Sequence, residues 1–82
     1  MQLHLGGHLS WYDPDKRASF DLRLDGPMRL ADLLERLGIP PAEVAVAAVN
    51  GTAVELAEAY ITDRDRVDLL PPIGGGYRVL IN

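Results

Sequence analysis

Gly74, Gly75 and Gly76 stand in a row directly after Pro71-Pro72-Ile73, and no other residues in this chain have so plain a chemical use. A peptide without side chains can enter a channel too narrow for any Cβ, so its main chain can be presented to another protein. Pro71 has no amide donor and its ring drives Leu70 towards extended backbone, so a buried strand built on Val67, Leu69 and Leu70 must end there. Strand, stiff spacer and bare backbone together form a device for presenting main chain to a partner. The other candidates point to less. His4 and His8 share a strand face only if Gly6-Gly7 adds no bulge, and no third ligand stands near them, so two surface histidines are expected rather than a metal site. Asp13, Asp15, Asp63 and Asp65 lack the spacing of a calcium loop and read as turn residues. Trp11 and Tyr12 would point to opposite sides of a strand, leaving one exposed as an interface anchor or as cover for a small core. No catalytic triad, phosphate loop or acid–base pair stands out, so nothing in these residues points to an enzyme.

The bulk composition narrows the classes. Eighty-two residues make one small domain, which buries roughly 60–65% of the surface its unfolded chain exposes. Hydrophobic residues are 48% of the chain and only 6% are aromatic, so the core is aliphatic. The net charge of −4 argues against nucleic acid, since binding there rests on clustered cations and Lys16-Arg17 is the one adjacent basic pair. The absence of cysteine removes disulfides, thiolate metal sites and thiol chemistry. No apolar run nears the ~18–20 residues of a membrane span. The N-terminus lacks the pattern of a secretion signal, so a cytoplasmic protein with no bound cofactor is expected.

The elements that must position the glycine run follow from periodicity. Residues 1–9 alternate through Met1, Leu3 and Leu5 and predict a strand, with Gly6-Gly7 marking a bulge or a close backbone contact. After a turn at residues 12–16, Ala18, Phe20, Leu22 and Leu24 alternate inward, so residues 1–24 read as an antiparallel hairpin. Leu30, Leu33, Leu34 and Leu37 recur at helical spacing, with Asp32, Glu35 and Arg36 on the solvated face. Gly38 and Pro40-Pro41 end that helix. Residues 44–49 predict a buried strand, Asn50-Gly51 a type I′ turn, residues 53–56 a short return and residues 57–61 a helical turn. A charged turn, Thr62-Asp63-Arg64-Asp65-Arg66, leads into the last strand. One helix across one face of a mixed sheet is an α+β roll.

That order is also the order of the ubiquitin-like β-grasp. Within it, Val49-Asn50-Gly51, the turn Asp63-Arg64-Asp65-Arg66-Val67 and the tail Leu70-Pro71-Pro72-Ile73-Gly74-Gly75-Gly76 resemble the MoaD/ThiS sulfur carriers, the small subunit of molybdopterin synthase and the thiamine sulfur carrier. The resemblance implies that residues 1–76 are the carrier domain and that Gly75 and Gly76 are the functional diglycine. Pro71, Pro72 and Gly74 are then the presenting arm. It implies partners: an adenylyltransferase resembling a ubiquitin-activating enzyme, which uses ATP to adenylate the terminal glycine before thiocarboxylate formation, and a cofactor-synthase large subunit. The outer face of the last strand, with Leu69 and Ile73, is expected to dock the activating enzyme.

The sequence departs from the family pattern in three places. Gly76 is followed by Tyr77-Arg78-Val79-Leu80-Ile81-Asn82, Arg64 stands where the family usually has glycine, and Gly6-Gly7 with Trp11-Tyr12 matches no family motif. Three readings of the glycine run are therefore open. The chain is a precursor that a protease cuts after Gly76; or an interaction domain in which residues 77–82 add a strand to this sheet or to a second copy; or a regulatory or small-molecule module unrelated to sulfur.

Overall fold

The computed structural model describes residues 1–72, so Ile73, the glycine run and the extension at residues 77–82 lie outside it. Strand β1 (Gln2–Leu5) pairs antiparallel with β2 (Ser19–Asp21), as the two alternating runs predict. β3 (Met28–Arg29) leads into helix α1 (Leu30–Leu37), followed by β4 (Val46–Val49), β5 (Thr52–Val54), β6 (Tyr60–Ile61) and β7 (Arg66–Leu70). The main sheet runs β2-β1-β7-β4-β5. Its last strand in sequence is its middle strand in space, parallel to β1 and antiparallel to β4. β3 and β6 form a separate two-stranded ribbon. This mixed sheet with one main helix is the β-grasp arrangement.

Burial follows the alternation. Leu3 and Leu5 of β1, Ala47 of β4 and Val67 and Leu69 of β7 meet Leu30, Leu33 and Leu34 of α1 in one aliphatic core. Each enclosed leucine contributes about 1.5–3 kcal/mol. Glu35 and Arg36 are exposed, as the helical spacing requires. After the helix, Ile39 donates its N–H to the Leu34 carbonyl at 2.9 Å, and Pro40-Pro41 turns the chain away.

Several expectations shift. The first strand stops at Leu5, and Gly7–Tyr12 is a 3-10 turn that buries Leu9. Gly6-Gly7 makes the close backbone contact, because Leu70 and Pro71 press directly on it. Ala18 is exposed rather than inward. Trp11 is exposed and Tyr12 half-buried, but from the 3-10 turn and not from a strand. The helical turn expected at residues 57–61 forms two residues earlier, at residues 55–59, where the Glu55 carbonyl accepts from the Glu58 N–H at 3.1 Å and the Ala59 N–H at 2.9 Å; Tyr60–Ile61 is instead β6, whose Ile61 is buried against the core. Two residues of strand are too short for a period of two to show.

The Asn50-Gly51 turn is the type I′ hairpin that the dipeptide predicts, with φ of 52° and 86°. It is also tied to the start of β7. The Asn50 Oδ1 accepts from the Arg66 N–H at 2.9 Å and its Nδ2 donates to Asp65 Oδ1 at 2.8 Å. Two sequence motifs sixteen residues apart thus meet in space. Asn50→Ala is expected to cost about 2–4 kcal/mol through two lost hydrogen bonds and a strained left-handed backbone. Asn50→Gly, which keeps the backbone free, should cost about half that. Urea unfolding of the two variants side by side checks the ratio.

Candidate functional site

The site is the point where β7 leaves the sheet. Two backbone bonds grip its end from opposite sides: Gly6 N–H donates to the Leu69 carbonyl and Ala45 N–H to the Leu70 carbonyl, both at 2.8 Å. Pro71 then has no N–H with which to continue either ladder. It is half-buried, and Pro72 is exposed. The chain is thereby delivered from the middle of a rigid sheet, and not from a loose edge.

The outer face of the sheet has two halves. Gln2, His4, Ser19, Asp21, Arg66 and Asp68 make a polar half, in which Arg66 Nε lies 3.7 Å from Asp68 Oδ2 and His4 Nδ1 shares a hydrogen bond with Ser19 Oγ at 3.0 Å. Around the strand's exit the surface is apolar. Ala45, Val46, Leu70, Pro71 and Pro72 line an open groove of about 600 Å³. Val46 is 44% exposed and Leu70 39%, large values for such side chains.

This geometry corrects one site expectation. Leu69 is fully enclosed and faces α1, so it cannot dock a partner. The surface residues of this stretch are its neighbour Leu70 and, across the ladder, Val46. Both were missed. The signal was available, since Val67 and Leu69 facing inward oblige Leu70 to face outward. Pro71 and Pro72 stand at the exit, whereas Ile73, Gly74, Gly75 and Gly76 fall outside the described residues.

The remaining titratable candidates do not gather. His8 Nε2 sits 2.8 Å from Glu43 Oε1, away from His4, and among the described residues no three metal-ligating side chains cluster. The aspartates organise turns, as expected. Asp13, with its carboxylate buried, accepts from Arg17 Nε at 2.9 Å, Arg17 Nη2 at 3.1 Å and the Arg17 backbone N–H at 2.9 Å. These bonds hold its pKa down to about 2. Asp63 is also lowered, chiefly by the Leu24 N–H, and Asp65 by Asn50 and the Thr62 N–H. With all three depressed, the unfolded chain takes up protons first as pH falls, so their stabilisation is full above 3.8 and fades towards about 2. Melting temperatures between about pH 6 and pH 2 should hold and then drop below about 4, and Asp13→Asn should flatten part of that drop.

Against protein-family models, residues 15–76 match the ThiS family. The chain belongs to the ThiS family. The match spans the helix, the Asn-Gly hairpin, all of β7 and the glycine run. Solved structures agree on the fold. A thiamine biosynthesis protein (ThiS) from Geobacter metallireducens is 23% identical, covers 93% of this chain and 100% of its own, and superposes with a TM-score of 0.56. A chain from the complex of subunits 1 and 2 of molybdopterin-converting factor from Helicobacter pylori is 22% identical, with 92% and 96% covered and a TM-score of 0.54. No curated protein matches. Within this ThiS-family chain, the 3-10 turn carrying Trp11 begins before the matched stretch. No helix among the described residues is long and apolar enough to cross a membrane.

Proposed function

We propose that this chain is a sulfur carrier whose working group is the carboxylate of Gly76. The observation that carries the reading is the ThiS-family match, which runs through the fold and the glycine triplet to Gly76. The exit geometry supports it, because a rigid central strand ends at two prolines just before the part of the sequence that holds the glycine run. In this reading a protease first hydrolyses the Gly76–Tyr77 bond. The freed carboxylate attacks the α-phosphorus of ATP within a partner adenylyltransferase and expels pyrophosphate. A hydrosulfide-level donor then displaces AMP and leaves the thiocarboxylate. The chain is the substrate in these steps, and the partner binds the ATP. Gly75 and Gly76 enter the partner's channel, Pro71, Pro72 and Gly74 span the distance, and the groove at Val46 and Leu70, together with Ile73, meets the partner's surface.

The sulfur acceptor in this reading is a precursor in thiamine or molybdopterin biosynthesis, the subjects of its two structural neighbours. The complex in which the second neighbour was solved supports a synthase large subunit as a further partner. Intact-mass spectrometry of the protein taken from its native host tests the proposal. A species ending at Gly76, heavier than the plain acid by the difference between sulfur and oxygen, is the expected result. A full-length chain under every condition of cofactor synthesis would refute it and favour an interaction domain that uses residues 77–82.

A further inference from the structure

We infer that Gly7, with Gly6, is a seat that fixes the direction in which the arm leaves the sheet, and so acts as a positioning residue for loading of the glycine end. The inference rests on the carrier reading above. A Cβ on Gly7 would stand 2.7 Å from Pro71 Cγ, and one on Gly6 2.6 Å from Leu70 Cδ2 and 3.4 Å from the Leu69 carbonyl. No side chain fits at the first position without displacing a proline ring. The backbone there is also left-handed, with φ of 52°. The Gly6 N–H holds the Leu69 carbonyl at 2.8 Å, so the same two residues grip the strand end and then support the first proline.

The far side of the exit is tied to the same support. His8 Nε2 meets Glu43 Oε1 at 2.8 Å, and the Tyr12 hydroxyl reaches that oxygen at 3.5 Å. Glu43 closes the 3-10 turn Pro41–Glu43, two residues before Ala45, whose N–H holds the Leu70 carbonyl. The two flanks of β7 are thus fastened to each other beside the point where the chain departs. Pro71 cannot move towards Gly7 without displacing it. Since an error of about 1 Å in presenting a reacting group can cost ~100-fold in rate, a fixed departure angle has a direct use in loading Gly76.

Two measurements test this. In nuclear magnetic resonance of the full wild-type chain, an Overhauser effect should join the Gly7 α protons to the Pro71 ring protons; its absence would remove the seat. The second uses the processed chain ending at Gly76 in ATP–pyrophosphate exchange with its activating enzyme, comparing Gly7→Ala with Gly38→Ala. Gly38 has a φ of 76° and nothing within 4 Å of its Cβ position, so that variant carries left-handed strain without the contact. Gly7→Ala should lower kcat at least about tenfold with KM within about twofold, while Gly38→Ala at similar melting temperature keeps the wild-type kcat. Equal losses in the two variants, or wild-type kcat in Gly7→Ala, would overturn the positioning role. A wild-type chain that is never activated sinks the carrier reading and the aiming role with it, even where the Overhauser effect shows the seat itself.

Discussion

Leu69→Ala is expected to lower the unfolding free energy by about 2–5 kcal/mol. Leu69 is fully enclosed on the central strand, opposite Leu5 of β1 on one side and Ala47 of β4 on the other. The leucines of α1 lie across the same core. Ala47 is the smallest of these neighbours, so it cannot swing into the vacated space, and both flanking backbones are held by their ladders. The cavity therefore stays open, which places the cost towards the upper end of the range. A domain of this size has roughly 0.05–0.15 kcal/mol of stability per residue, so one truncation takes away a large share of it. Urea unfolding should show a much lower midpoint at an unchanged slope. A midpoint close to wild type would mean that Leu69 does not lie where the core is described.

Leu70→Glu, one residue further on, should do the opposite. Its side chain lies on the outer face beside Val46 and the two prolines, where a carboxylate stays in water while the protein is free. Unfolding should change by less than about 1 kcal/mol, as for other surface substitutions. Under the proposed carrier function, binding to a partner adenylyltransferase should weaken by at least about 30-fold, because the same carboxylate would be stripped of water in an apolar contact. Titration calorimetry against that enzyme reads the effect directly, and Val46→Glu should reproduce it. If both glutamate variants bind as tightly as wild type, the groove is not the docking surface.

These adjacent leucines show how far the sequence could be read. Long periodic stretches were legible: the helix from Leu30 to Leu37, the paired strands β1 and β2, and the hairpin at Asn50-Gly51, where only residues tolerant of positive φ fit. The exit at Pro71 was legible because a proline cannot extend a ladder. What stayed hidden depended on contacts between distant segments. Gly6-Gly7 announced a close approach without naming its partner, since Leu70 and Pro71 arrive there only once β7 lies beside β1. β3 and β6, at two residues each, are defined by each other and not by any local pattern. Leu69 and Leu70 are alike in residue type, and only the alternation of β7 against the core separates the enclosed side chain from the exposed one.

The position of β7 governs when this molecule can come into being. Gln2 finds its parallel neighbour at Arg66, near the far end of the chain, and such distant pairing makes folding slow. Until the ribosome has released residues 66–70, the β1–β2 and β4–β5 ribbons have no common strand between them and their apolar sides stay wet. Among the described residues, the last strand to be synthesised is the one that joins them. Under the proposed carrier function, an enzyme that grips the end of β7 would inspect its substrate in doing so, because a nascent or damaged chain offers no assembled groove.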